Sequence, residues 1–196
     1  MKVFTILSPI NNIRTTENSI KNRNLLALTL VSGHGLKHLW MAAFTVILPE
    51  LKTGLAISNA ATGGLVTARD LSAGIMTLPA GFLADRFSTN WPLILTIATL
   101  LLGTGYFLAG ILPTYWLILF AVALSGIGTS MWHPAAIASI SRLFPGKLGF
   151  AVSMHGAGGN SGEVIGPIIA GLGLFGVAVA LGAQDLFKNL ISGILV

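Results

Sequence analysis

A long uncharged run in the middle of the chain is the feature that limits its fold most strongly. Residues 87–141, about 55 positions, contain no Asp, Glu, Lys or Arg. About 20 mostly apolar residues make one membrane-spanning helix, so this run is long enough for two helices, with a turn at Pro113 between them. A transmembrane β-barrel would need alternating segments of about 10 residues, and the run does not alternate. The run therefore predicts two consecutive transmembrane helices.

The composition extends this prediction to the whole chain. Hydrophobic residues make up 54% of it and charged residues only 9%, whereas soluble domains carry about 25% charged residues. High hydrophobicity excludes a disordered chain, and the absence of cysteine excludes a disulfide scaffold. The predicted fold class is all-α, a polytopic helical membrane protein.

Breaks between the apolar segments predict five clear helices and a doubtful sixth. The five are expected at residues 25–48, 59–83, 91–112, 115–144 and 147–172. The first is expected to end before Pro49. Residues 172–196 are apolar up to Leu181 and more polar beyond it, so they form either a sixth span or an interfacial tail. At about 33 residues per helix and loop, a chain of 196 residues holds six spans at most.

The basic residues predict the orientation of these helices. Those expected on the inner side of the membrane are Lys2, Arg14, Lys21, Arg23, Arg86, Arg142 and Lys147. Lys52 alone is expected outside. The positive-inside rule then makes residues 1–24 a cytoplasmic N-terminal tail and residues 25–196 the transmembrane domain, in a bacterial-type inner (plasma) membrane. Because flanking loops account for the basic pI, no nucleic-acid partner is expected.

Ionisable residues inside predicted spans are the first candidates for a substrate or proton pathway. Each costs about 2.5–3.5 kcal/mol at a helix centre on insertion scales, so function is the default explanation. The candidates are His34, Lys37, His38, Arg69, Asp70, His133, His155 and Glu163. His133 and His155 are also interpreted as residues that satisfy hydrogen bonds between packed helices.

The spacing and charge of these candidates suggest interior pairs. His34, Lys37 and His38 lie three and four residues apart and so share one helix face. With neutral histidines the formal charges inside the spans sum to zero, which favours a pair between Lys37 and Glu163. Arg69 and its neighbour Asp70 are about 100° apart around their helix and are expected to point in different directions. A static structural ion pair is the alternative to a proton or anion site.

The loop after the second predicted helix carries a recognisable pattern. It contains Gly81, Leu83, Asp85 and Arg86, followed by Ser88, Thr89 and Asn90. This resembles the loop signature G-x-L-a-D-R-x-G-R-[RK] of the major facilitator superfamily, with the later glycine and basic residues replaced. The resemblance implies a gating loop in which the Asp and Arg latch two halves of a transporter. Gly81 is expected to allow close helix approach. An ordinary charged cytoplasmic turn is the alternative.

A stripe of small residues marks the fifth predicted helix. Gly158, Gly162 and Gly166 recur every four residues, and Pro167 follows. The spacing lets another helix lie close, as in GxxxG packing. With Gly171 it also resembles the G-x-x-x-G-P-x-x-x-G motif found in the fifth helix of antiporters of the same superfamily. Helix packing alone is the alternative to a functional motif.

Two further glycine-rich stretches, residues 126–134 and 156–160, resemble the fosmidomycin-resistance-type efflux subgroup. That subgroup has a histidine in its first helix with an acidic residue four positions later. His34 matches the histidine, and His38 stands where the acid is expected.

The resemblance implies the N-terminal six-helix half of a secondary transporter. Such a permease is expected to move a small solute by alternating access, coupled to protons, and to need a second six-helix half. A small anion is slightly favoured as solute over a cation. The chain is expected to be a truncated frame, a split gene product or a half that pairs with another half. A non-transporting assembly or regulatory subunit, or an inactive transporter fragment, is the alternative.

Enzyme motifs are missing from the sequence. It has no Walker loop, HExxH, GxSxG or cysteine pair. The chain is therefore expected not to be an enzyme, and to bind neither a cofactor nor a metal.

Overall fold

A computed structural model describes the backbone of residues 8–87 and 90–194, and the side chains of residues 22–87, 90–177, 180 and 184. Within these residues the chain forms helices and no strands, which confirms the all-α class. The helices are α1 (Ser8–Gly54), α2 (Asn59–Arg86), α3 (Trp91–Ile111), α4 (Tyr115–Leu143) and α5 (Leu148–Ile194). Lys2, Ser88 and Thr89 lie outside the described residues, as do the side chains of Arg14 and Lys21.

The helix boundaries follow local sequence signals. The Ser58 hydroxyl accepts a hydrogen bond from the Ala61 N–H at 3.1 Å and so caps the start of α2. Pro113 lies in the short connection between α3 and α4, as the sequence predicts. Pro145 and Gly146 lie between α4 and α5 and cannot continue a helix readily. These three breaks fix the hairpin-like course of the chain.

Two predicted helix ends are wrong. Pro49 does not end α1, which continues to Gly54, and residues 8–24 extend the same helix toward the N-terminus. Helices in membranes tolerate proline because other groups take over the freed backbone bonds. The turn that follows Pro49 is supported by the Thr53 hydroxyl, which donates to the Pro49 carbonyl at 3.0 Å.

The predicted end of the fifth helix near residue 172 is also wrong. α5 runs without a break from Leu148 to Ile194 and passes through Pro167. Its 47 residues would extend about 70 Å, more than twice the hydrocarbon thickness of a bilayer. The chain therefore does not turn back to form a separate sixth helix within the described residues.

Three of the helices have the length and apolar composition of membrane spans. They are Trp91–Ile111, Tyr115–Leu143 and Leu148–Val177. α1 and α2 are long enough, but polar and ionisable residues in their central turns lower their mean hydropathy. The prediction of five spans therefore stays a prediction for α1 and α2.

The helices pack in two groups that meet along α1 and α4. α1 packs closely on α5, while α4 packs on both α2 and α3. One buried apolar cluster surrounds Ala98 and Trp132, and a second surrounds Leu65 and Val122. This arrangement brings polar positions of α1, α4 and α5 together between the two groups.

The outer surface is strongly apolar. Large side chains such as Ile75, Leu78, Trp116 and Phe120 are 67–84% exposed. A water-soluble protein rarely exposes so many large apolar groups in continuous patches, whereas lipid accommodates them. The surface thus agrees with a protein integral to a membrane.

Candidate functional site

Glycines bring the backbones of α1 and α5 into direct contact. A Cβ atom added at Gly35 would lie 2.9 Å from the Gly158 carbonyl oxygen. A Cβ at Gly162 would overlap the Gly35 carbonyl, and one at Gly166 would overlap the Leu39 carbonyl. Small residues allow such close approach between membrane helices. As a result, the side chains beside these glycines on α1 and α5 face each other at short range.

His34 and His155 are the first pair to meet across this contact. The His34 Nδ1–H donates to the His155 carbonyl oxygen at 2.8 Å. Their rings also stack, with centroids 3.9 Å apart and planes within 5° of each other. Both residues are buried. A carbonyl oxygen can only accept, so this contact places a proton on His34 Nδ1.

His38 connects His34 to a carboxylate of α5. Its Nδ1 lies 2.8 Å from Glu163 Oε1, and its Nε2 lies 3.1 Å from His34 Nε2. The Glu163 side chain is 58% exposed on the surface of this chain, whereas that of His38 is 18% exposed. A hydrogen-bonded path therefore begins at an accessible carboxylate and leads inward.

α4 completes the path with His133. His133 Nε2 lies 3.0 Å from His34 Nε2. The Lys37 ammonium lies 3.3 Å from His133 Nδ1 and 3.2 Å from its Nε2, and Lys37 is only 3% exposed. We call the six residues His34, Lys37, His38, His133, His155 and Glu163 the histidine cluster. The cluster joins α1, α4 and α5 through side-chain contacts and through the backbone carbonyl of His155.

The predicted pair between Lys37 and Glu163 is wrong in this structure. Glu163 bonds His38 instead, and Lys37 contacts His133. Successive residues on a helix point about 100° apart, so Lys37 faces α4 while His38 faces α5. His133 and His155, which the sequence also allows as packing residues, both lie inside the cluster.

Arg69 and Asp70 form a separate pair on α2. The Arg69 Nε–H donates to Asp70 Oδ1 at 2.8 Å, so the expectation that they point apart is wrong. The long arginine side chain folds back along the helix to reach its neighbour. Its guanidinium also lies 5.9 Å from the centroid of the Phe44 ring, within cation–π range.

A cavity between α2 and α4 opens beside His133. It has a volume of about 500 Å³ and includes Thr77 and Ser130 in its wall. The hydroxyl oxygens of Thr77 and Ser130 are 3.1 Å apart. Neither residue is predicted from the sequence; Ser130 lies one helical turn before His133, which is a usable signal, whereas Thr77 has no histidine near it in the sequence. The cavity places hydroxyl groups and an imidazole around one volume.

The charged residues of the loop motif lie in the last turn of α2, which ends at Arg86 and not at residue 83. Asp85 and Arg86 are exposed, and the Arg86 guanidinium lies 5.6 Å from the centroid of the Phe87 ring. A Cβ at Gly81 would meet no described atom within 4 Å, so the expected close approach there is wrong. Neither charged residue forms an ion pair with another described residue. The latch role of Asp85 and Arg86 stays a prediction.

Three histidines of the cluster are also close enough together to be compared with a metal site. One ring nitrogen from each of His34, His38 and His133 lies within 4.8 Å of the other two. Imidazole is a common ligand for zinc, copper and nickel. The Lys37 ammonium, however, lies 3.2 Å from His133 Nε2 and adds a positive charge where a metal would bind. This charge opposes a divalent metal ion more strongly than a single proton, and it attracts an anion.

Comparison with known proteins gives the family. Residues 30–183 match the sequence profile of the Major Facilitator Superfamily. The chain belongs to this superfamily. The match confirms the resemblance found in the loop and glycine motifs. Members of the superfamily are transporters, in agreement with the expectation that the chain is not an enzyme.

Several relatives are resistance proteins. The chain is 31% identical to the puromycin resistance protein of Streptomyces alboniger, over 65% of this chain and 25% of that protein. It is 25% identical to the fosmidomycin resistance protein of Escherichia coli, over 70% of this chain and 34% of that protein. It is 33% identical to the multidrug resistance protein MdtH of Shigella dysenteriae, over 45% of this chain and 22% of that protein. The matched region thus spans 22–34% of the length of these relatives.

Proposed function

We propose that the chain forms part of a secondary transporter that moves a small solute by alternating access, with protons as the coupling ion. The observation that carries this proposal is the histidine cluster. Histidine and glutamate are groups that can exchange protons, and inside a membrane bundle such residues are expensive unless they serve function. The residues of the cluster lie on three helices, so a change in their protonation affects how α1, α4 and α5 pack together.

A small anion is the proposed class of solute. Lys37 is buried, and its hydrogen bonds go to His133 and not to a carboxylate. Among the described residues, the ion pairs engage Glu163 with His38 and Asp70 with Arg69. The Lys37 charge is therefore left to attract an anion, and the hydroxyls of Thr77 and Ser130 line the cavity next to its partner His133.

We also propose that transport needs a second six-helix half and that the N-terminus lies in the cytoplasm of a bacterial-type inner membrane. Transporters of this fold place their solute between two similar halves. A second copy of this chain or a separate chain would supply the other half. The basic residues near the N-terminus and after α2 and α4 support the orientation.

Flux in proteoliposomes tests this function. The chain is reconstituted with a pH gradient, and uptake of radiolabelled fosmidomycin, the anionic compound named by one relative, is measured. Because Glu163→Gln removes the accessible carboxylate of the cluster, we expect it to reduce gradient-driven flux at least tenfold. Glu50→Gln, which changes an exposed carboxylate of α1 outside the cluster, should keep the flux.

The same assay separates the alternatives. Equal flux in the Glu163→Gln variant and the unmodified chain would exclude the cluster as coupling site. No flux in any variant, with or without an added second six-helix half, under conditions in which the fosmidomycin resistance protein is active, would favour a non-transporting membrane subunit or an inactive transporter fragment. Flux restored only by adding a second chain would support the need for another half.

A further inference from the structure

The hydrogen bonds of the histidine cluster determine how many protons it holds. His34 Nδ1 carries one proton, since it donates to a carbonyl oxygen. The contact of 3.1 Å between the Nε2 atoms of His34 and His38 needs a second proton, and the contact of 2.8 Å between His38 and Glu163 needs a third. Without a proton between them, two ring nitrogens would turn their lone pairs toward each other.

These three protons are one more than His34, His38 and Glu163 hold when both imidazoles are neutral and the carboxylate is ionised. Two neutral imidazoles and an ionised carboxylate together hold two protons. We infer that the cluster in this geometry is loaded with one additional proton, shared along His34, His38 and Glu163, and that its loss opens the contact between His34 and His38. The result is the same whichever atom of each contact holds the proton. The inference deepens the proposed function, because it names the residues that carry the coupling proton.

The additional proton also sets the charge of the cluster. With it, the path from His34 to Glu163 is neutral, and the Lys37 ammonium leaves the cluster with one positive charge. Without it, the Glu163 carboxylate balances Lys37. Loading a proton thus prepares the site for an anion, and unloading removes that attraction.

The groups that face this path come from each neighbouring helix. α1 provides Lys37, α4 provides His133, and α5 provides His155. α2 carries the charged pair of Arg69 and Asp70, which bond each other. α3 provides no charged side chain. His133 fits the scheme as a neutral ring: its Nε2 accepts from His34 when His34 Nε2 carries the shared proton, and its Nε2–H donates to His34 when His38 carries that proton.

Nuclear magnetic resonance of the imidazole nitrogens tests the inference. The full chain is labelled with ¹⁵N-histidine, placed in detergent micelles and titrated from about pH 5 to about pH 8. Only four histidines contribute signals. We expect His34 and His38 to change together in one step with the release of one proton per chain, and a nitrogen–nitrogen coupling across their hydrogen bond to disappear in that step.

Glu163→Gln is the decisive variant. The glutamine amide can donate to His38 Nδ1, so the contact survives without the additional proton, and the joint step should be absent. Glu50→Gln should behave as the unmodified chain. His34 and His38 that each keep one proton throughout, or a joint step that persists in Glu163→Gln, would overturn the inference.

Zinc provides the remaining comparison. If zinc sulfate at micromolar concentration shifted the signals of His34, His38 and His133 together, the cluster would be a metal site and the inference would fail. Unchanged signals support it. The proton step is measured without any solute, so its presence in a chain that shows no flux would contradict the proposed function and leave the inference standing.

Discussion

At the scale of single residues, the burial of Lys37 is the least expected feature of the site. A lysine that is 3% exposed keeps its ammonium next to a histidine and not next to a carboxylate. Burial of an incompletely paired charge lowers stability, and replacement by an apolar residue of similar volume is often neutral or stabilising. Such a group is retained where it serves a ligand.

We therefore expect Lys37→Met to separate function from stability. The variant should unfold at the same or a higher temperature in detergent, since a buried charge is removed, and should lose at least tenfold in gradient-driven solute flux. Thermal unfolding and proteoliposome flux measure the two effects. Lys52→Met, near the end of α1, should change neither. A large loss of stability in Lys37→Met would show that the ammonium is structural.

At the scale of helices, the contact between α1 and α5 depends on glycine. The carbonyl oxygens of Gly35 and Leu39 occupy the space that side chains at Gly162 and Gly166 would need. Overpacking of this kind costs about 1–3 kcal/mol when the neighbours can adjust, and backbone atoms adjust poorly. The spacing of the glycines is visible in the sequence, but the helix they contact is not.

Gly162→Leu should separate α1 from α5. Because the added side chain collides with the α1 backbone, we expect an unfolding free energy lower by at least about 2 kcal/mol. A cysteine pair at positions 34 and 155 should also form its crosslink more slowly, and the chain has no native cysteine to interfere. Gly171→Leu is the matched control on the same helix, because a Cβ there meets no described atom within 4 Å. Equal effects of the two substitutions would exclude a specific contact.

At the scale of the whole molecule, the sequence predicts the class of fold better than the detail of the site. The uncharged run and the prolines at 113 and 145 locate α3 and α4 almost to the residue. Pro49 leads to a wrong helix end because membrane helices tolerate proline. The partner of Glu163 cannot be predicted from the charges because it depends on how α1 and α5 are rotated about their axes. All six cluster residues were selectable as ionisable groups in apolar segments, but their contacts depend on how three helices pack.

The orientation of the molecule gives a prediction of its own. Single cysteines at Lys147 and Thr114 mark the connections at opposite ends of α4. The positive-inside rule predicts that a membrane-impermeant maleimide labels Thr114→Cys in intact cells and labels Lys147→Cys only after the cells are permeabilised. The reverse pattern would place the N-terminus outside.

The two groups of helices, α1 with α5 and α4 with α2 and α3, meet at a boundary where titratable and apolar contacts lie side by side. Within the first group, His38 bonds Glu163 and His34 bonds the His155 carbonyl, whereas α2 and α4 are joined by apolar packing and hydroxyl hydrogen bonds. Across the boundary, the bonds of His133 with His34 and Lys37 supplement the packing of Trp132 on Gly33. Contacts that respond to acid therefore lie both at this boundary and between α1 and α5, so that protonation of the cluster would alter how α1 packs on α4 and on α5 together.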